Sequence, residues 1–304
     1  MKIINFGSLN IDHVYSVPHM VKGGETLSSS CLTNFCGGKG LNQSIAAARA
    51  GAKVYHAGNI GHDGGILRQI LYDNGINLAF LREVEAPSGH AIIQVDPSGQ
   101  NCIILNGGAN YFFTEEYVDE VLENISPDDI VLIQNETSCV PYIIQKAHER
   151  QARVVLNPSP ISPELLLYPL DSVDLLILNE IEAEMILDSK DRILVEKELL
   201  SGLFSRFKSA EVVLTLGKNG VRHQKNGILS SHGIYDVPVV DTTAAGDTFC
   251  GYFIAGQAMG LPTAECLKRA SIASSIAVSK KGAAASIPYL DEVLLFDQTI
   301  QSFA

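Results

Sequence analysis

Positive charge is scarce in this chain of 304 residues. It has 22 lysines and arginines against 34 aspartates and glutamates, for a net charge of −12. That balance argues against DNA, RNA or an anionic membrane as the main partner. It leaves phosphate-bearing substrates open, because a local pocket and Mg²⁺ can offset the acidity. Paired cysteine spacing is also absent. The six cysteines (Cys31, Cys36, Cys102, Cys139, Cys250, Cys266) contain no C-x-x-C pair, and most sit in apolar segments. They read as reduced thiols of a cytosolic protein. The eight histidines lack ligand spacing, which argues against structural zinc. No uninterrupted apolar run reaches membrane-spanning length. The first residues, Met1 to Gly7, read as a buried strand ending in glycine and not as a signal peptide. There is no internal repeat, low-complexity tract or linker.

Two familiar phosphate-binding signatures are missing as well. G-x-x-x-x-G-K-[ST] occurs nowhere, and no G-x-G-x-x-G follows the first strand. What is present is a large apolar fraction, 46% against 18% charged. That allows a large core, and the length suits one large α/β domain over residues 1–304 or two smaller ones.

The stretch Asp241-Thr-Thr-Ala-Ala-Gly-Asp247-Thr-Phe-Cys-Gly251 organises the rest. Small residues allow backbone N–H groups to point at an anion, and a helix starting near Ala245 adds its positive dipole end there. On this reading Asp247 takes a proton from a hydroxyl, while the amides of Ala245, Gly246 and Asp247 hold the transferring phosphoryl group. An ordinary helix N-terminus with Asp in its first turn is the plainer alternative.

In chain order, Lys2 to Phe6 reads as a central strand, with Asn10 and Asp12 on one face just beyond it. Such a pair can bind neighbouring sugar hydroxyls or simply make a turn. Residues 13–35 lack a helix period and carry a turn at Gly23-Gly24. Cys36-Gly37-Gly38-Lys39-Gly40-Leu41-Asn42-Gln43 is a glycine-rich entry to a helix that ends at Gly51. Alternation of strands and helices then predicts a parallel sheet. Asp63 reads as a helix cap. Asp96-Pro97-Ser98-Gly99 lies between two β-prone runs and predicts a hairpin within 89–107. Thr114 caps a helix. Glu136 ends one strand on the ligand side, and Asn179 with Glu182 opens a helix on one face.

Joined together, these segments resemble the ribokinase-like (pfkB-type) family of sugar kinases. Gly37-Gly-Lys-Gly-Leu-Asn-Gln43 is similar to its N-terminal signature and Asp241–Gly251 to its C-terminal one. Asn157-Pro-Ser-Pro160, Gly108-Ala-Asn110 and Thr215-Leu-Gly217-x-x-Gly220 follow the family in the same order. The resemblance implies a three-layer α/β/α sandwich with a mostly parallel sheet. It also implies a small β lid from about 13–35 and 89–108, which in many members pairs two subunits. It implies ATP-dependent phosphorylation of a primary hydroxyl, with ribose as the expected acceptor. Asn10, Asp12, Gly38, Lys39, Asn42 and Glu136 would hold the sugar. Asn110 would act as a lid hinge or on the sugar side. Asn179, Thr215, Gly217, Gly220, Gly246 and Ser271 would meet the nucleotide. Mg²⁺ would be organised indirectly by Asn179 and Glu182. A monovalent cation, K⁺, would sit near Asp241, Thr243, Ala277, Lys280, Gly282 and Ser286. The implied partners are small molecules and a second copy of the chain, with no nucleic acid and no membrane. Departures from the family pattern fall at Leu41, Leu178, Tyr252, Ser271 and Ala284-Ala285; none removes a reacting group. A same-fold kinase for another acceptor, or a sugar sensor without turnover, are the competing readings.

Overall fold

A computed structural model describes residues 1–189 and 193–301. In chain order the strands and helices begin with β1 (Ile3–Phe6), β2 (Asn10–Ser16), β3 (Cys31–Gly37), α1 (Lys39–Arg49), β4 (Val54–Ile60), α2 (Gly65–Asp73) and β5 (Leu81–Glu83). There follow β6 (Gly89–Val95), β7 (Asn101–Asn106), α3 (Glu115–Leu122), β8 (Ile130–Gln134), α4 (Val140–Glu149), β9 (Arg153–Asn157), β10 (Leu175–Asn179) and α5 (Glu180–Ile186). The rest are α6 (Glu196–Arg206), β11 (Glu211–Thr215), β12 (Val221–Lys225), β13 (Ile228–His232), α7 (Ala245–Ala258), α8 (Thr263–Val278) and α9 (Leu290–Gln301).

The main sheet runs β13-β12-β11-β10-β9-β8-β1-β4-β5. Its strands are parallel from β11 to β5, and β12 and β13 turn back as an antiparallel edge. Its inner strands read as largely apolar runs, broken in β1 by Asn5 and in β4 by His56 and Asn59, because both faces are covered. Leu41, Leu67, Phe253, Ile272 and Val293 pack α1, α2, α7, α8 and α9 on one face. On the other, Tyr117, Ile143, Ala183 and Leu199 pack α3, α4, α5 and α6. The result is the α/β/α sandwich. Among the described residues, no helix is long and apolar enough to cross a membrane.

A second sheet, β3-β2-β6-β7, is formed by the two segments expected to make a lid. Its first segment begins at Asn10, earlier than position 13, because β2 leaves β1 after only Gly7, Ser8 and Leu9. β7 is solvent-exposed along its whole length.

Thr114 caps α3 by accepting from the Tyr117 amide. Asp63 does not cap α2, whose N-cap is Gly64 with no side-chain bond. The Gly61–Gly64 turn aims Asp63 at the lid entry instead, where it accepts from the amide and hydroxyl of Ser88 at 2.9 and 2.7 Å. Helices α6 and α9 and strands β5 and β13 were not anticipated. All six cysteines are free thiols.

Candidate active site

Open parallel sheets leave their ligand crevice at the carboxyl ends of the strands. Here β1, β8, β9, β10 and β11 end at Phe6, Gln134, Asn157, Asn179 and Thr215 around one such crevice. Helix α1 enters it through glycine. Gly38 has φ +98°, a conformation that disfavours other residues. A Cβ on Gly40 would lie 2.3 Å from the Ser8 amide, so only glycine lets the helix start touch the β1–β2 turn.

That contact assembles an acidic corner. Glu136 accepts from the Lys39 main-chain amide at 2.9 Å and from the Ser8 hydroxyl. Burial pushes the Glu136 carboxyl above its usual range. Asp12 is pushed up to about 6, by burial first and by Glu136 second. Asn10 accepts from Asn110 Nδ2 at 2.8 Å, and Asn110 Oδ1 accepts from the Leu9 amide at 2.9 Å. Asn110 thus clamps the point where the main sheet passes into the lid. Lys39 feels burial pulling its pKa down, but Asp247, Glu136 and Glu182 outweigh that and hold it above the ordinary value.

Asp247 sits in the first turn of α7 and is only 7% exposed. Asn42 Nδ2 donates to its Oδ2 at 3.0 Å, and Gln43 Nε2 donates to its Oδ1 at 2.9 Å. Ala244 has φ +60° and turns the chain into the helix. The Ala245 amide differs from the expectation: it donates to Thr242 O at 3.3 Å and is taken up by the turn. Among the described residues the amides of Gly246 and Asp247 have no protein acceptor, so two donors face outward where three were expected. A carboxylate, two free amides and a helix N-terminus at one spot can accept a proton and hold an anion.

Beside this spot lies a cavity of about 250 Å³ whose walls include Lys39, Asn157, Asn179, Glu182 and Asp247. Asn179 and Glu182 form a reciprocal capping box: the Glu182 amide donates to Asn179 Oδ1, and Asn179 N donates to Glu182 Oε2. A neighbouring cavity of about 390 Å³ is bounded by Asn179, Thr215, Gly217, Gly220, Gly246 and Ser271. These six are the residues expected to meet a nucleotide. The two cavities share Asn179, Thr215, Ala245 and Gly246.

Next to the start of α7, Asp241 Oδ1 accepts from the amide and hydroxyl of Thr243 at 2.9 and 2.6 Å. Its Oδ2 accepts from the Gly282 amide at 3.0 Å. Partial burial works upward on Asp241, but the Thr243 and Gly282 donors outweigh it and hold the carboxyl below its usual range. The Ala277 carbonyl receives the Lys280 amide at 3.1 Å. Ser286 is fully buried and bonds back to Ala283 O. Lys280 carries its ammonium away to Glu292 at 2.5 Å.

Gln43, Gln134, Asn157 and Ser8 reach these groups and were not singled out from sequence as site residues. A signal for Gln43 was present: it closes the glycine-rich entry to α1, next to Asn42 and just ahead of the apolar run Ile45–Ala48.

The sequence matches the pfkB family of carbohydrate kinases over residues 1–290. It is 37% identical over 298 residues to the ribokinase of Haemophilus influenzae, covering 95% of this chain and 96% of that one. The ribokinase of Cryptococcus neoformans var. grubii in complex with ADP superposes with a TM-score of 0.86 at 32% identity, covering 97% and 99% of the two chains. The ribokinase of Arabidopsis thaliana complexed with ribose and ATP gives 0.84 at 30% identity, with 97% of each chain covered. Coverage of nearly the whole chain at this identity, with both glycine turns at strand ends, leaves one reading: the chain belongs to the pfkB family of carbohydrate kinases.

Proposed function

We propose that this protein is an ATP-dependent ribokinase that transfers the γ-phosphoryl group to the primary hydroxyl of D-ribose. The observation that carries the reading is the placement of Asp247 between an acidic, amide-rich corner and a nucleotide-sized cavity, beside the free amides of Gly246 and Asp247. Asp247 takes the hydroxyl proton as the sugar oxygen bonds to phosphorus and the bond from phosphorus to the leaving ADP breaks. The two amides and Lys39 stabilise charge on the transferring group. Asn10, Asp12, Gly38, Lys39, Asn42 and Glu136 hold the sugar, and buried partners of this kind reject acceptors lacking the matching hydroxyl. A site offering Asp12 and Glu136 beside the single Lys39 favours an uncharged sugar over a sugar phosphate.

Thr215, Gly217, Gly220 and Ser271 line the nucleotide's place. Glu182, a hard oxygen donor, fits Mg²⁺ held through phosphate and water; when bound, the ion neutralises phosphate charge. Oxygen donors at Asp241, Thr243, Ala277, Lys280, Gly282 and Ser286 fit K⁺, because the Lys280 ammonium is turned away to Glu292. The protein acts in the cytoplasm as a homodimer joined through its lid, whose exposed Leu32, Phe35, Ile103, Ile104 and Leu105 favour a second copy.

An ADP-release assay across ribose, deoxyribose, fructose, fructose phosphates, keto-deoxygluconate and adenosine, with and without K⁺, tests the reading. Ribose should give by far the highest kcat/KM. A different best acceptor would redraw the sugar side, and ribose binding without turnover would make the protein a sensor.

A further inference from the structure

The Asp247 carboxylate is the end of a buried chain of side-chain hydrogen bonds whose direction is fixed. Gln134 Nε2 donates to Asn5 Oδ1 at 3.0 Å and to Gln43 Oε1 at 2.8 Å. Asn5 Nδ2 donates to Gly40 O and to Ser44 Oγ, each at 2.8 Å. Both of its hydrogens are therefore used. Ser44 then donates to His56 Nδ1 at 2.8 Å, and His56 Nε2 donates to the Gly7 carbonyl at 3.2 Å. The carbonyl can only accept, so the imidazole tautomer is set.

Toward the other end, Gln43 Oε1 already receives Gln134 and, at 3.4 Å, the Cys250 thiol. Its amino group must then face Asp247 Oδ1 and Asn157 Oδ1, both at 2.9 Å. Rotating that amide by half a turn would set oxygen against two oxygens and leave one of the two Gln134 amide hydrogens without an acceptor. Asn5, Gln43, Ser44 and His56 are fully buried and Gln134 is 1% exposed, so water cannot relieve such an error.

We propose that Gln43 is a positioning residue for phosphoryl transfer: its fixed amino group holds the Asp247 carboxylate in the orientation that receives the acceptor's proton. The inference rests on Asp247 being the base. Asn42 supplies the second donor to that carboxylate, but its amide also belongs to the sugar corner, where its Oδ1 is buried without a protein partner. Gln43 lines neither of the two cavities, and its amino group faces only Asp247 and Asn157. Consecutive residues of α1 reach one carboxylate because α7 packs very close: a Cβ on Gly251 would lie 2.8 Å from Gln43 O.

The test uses the full chain and three variants. Gln43→Met removes the donors at nearly constant length. Gln43→Glu keeps the shape and the acceptor facing Gln134 while replacing the amino group, which guards against a packing failure in the first. Ribose- and ADP-induced shifts in Tm report on every variant that the fold and both binding sites stand. The expected result is a kcat about 10–100-fold below wild type with KM for ribose and ATP within about threefold. A kcat within about twofold of wild type, or a loss confined to KM, overturns the proposal. Asp247→Asn, measured alongside, separates the two assignments. Substantial turnover in that variant removes the base itself. Its inactivity together with normal Gln43 variants removes only the positioning role.

Discussion

Asn42 and Asp247 share one hydrogen bond and leave one atom waiting. The amide nitrogen donates to the carboxylate at 3.0 Å, while Asn42 Oδ1 is buried without a protein partner. A buried amide oxygen lacking a donor costs free energy until one arrives, and a sugar hydroxyl meets that need. Asn42→Leu should therefore raise the ribose KM by at least about tenfold. An unchanged KM would remove Asn42 from the sugar side.

Asp247→Asn should fall by at least about a thousandfold in kcat, since base removal and loss of the carboxylate's charge both act on the transfer step. Ribose affinity measured by calorimetry should stay within about threefold, because the change spares the sugar's other partners. Near-normal turnover would end the assignment of the base.

Asp12 gives the site a pH dependence. Its carboxyl is raised to about 6 by burial and by Glu136, so the empty protein takes up a proton there below that pH. A carboxylate accepting sugar hydroxyls is favoured in its charged form, so ribose binding should expel the proton. Ribose affinity should then weaken by up to about tenfold per pH unit below 6, with proton release visible as buffer-dependent heat. Asp12→Asn should bind more weakly and lose this dependence; a parallel pH profile in the variant would refute it.

His56 works on stability in the same acid range. Complete burial pushes its pKa down from 6.5 to about 4, so the folded protein keeps it neutral while the unfolded chain binds a proton below 6.5. The unfolded state thus holds more protons between those values. Stability from this group is complete above pH 6.5 and falls as pH drops toward 4, by on the order of 3 kcal/mol in all. Urea unfolding between pH 4.5 and 7 should show a shallower slope for His56→Gln than for wild type. Equal slopes would show that another group carries the acid sensitivity.

Gly251 tests the joint between α1 and α7. An added Cβ would sit 2.5 Å from Ala46 Cβ and 2.8 Å from the Ala47 amide. Gly251→Ala gains helix propensity but must push the two helices apart, so it should cost about 1–3 kcal/mol of stability. It should also lower kcat, because the same joint sets Gln43 and Asn42 against Asp247. A variant as stable and active as wild type would show that the interface has slack.

The glycine turns, the lid hairpin and the helix at Ala245 were legible because each is a local feature: a few adjacent residues dictate a turn or a helix start. The Asn5–Gln134–Gln43 chain was not. These residues meet only because β1 pairs with β8 and α1 crosses over both, and no spacing in the sequence encodes that register. Asp63 misled for a related reason: an Asp before a helix usually caps it, and the partner that claims this one lies in the lid entry. The Ala245 amide was miscounted because whether a turn consumes a donor depends on backbone geometry that small residues leave open.

Asn10 and Asp12 stand on β2, and Gly38 directly follows β3, so under the proposed assignment the lid strands carry much of what touches the acceptor. The base and the free amides stand on α7, more than 200 positions later. Choice of acceptor and the act of transfer are thus inherited on separate stretches of chain. Exchanging residues 10–42 together with position 136 between relatives would pass on an appetite for a different sugar while leaving the base and the free amides of α7 the recipient's own.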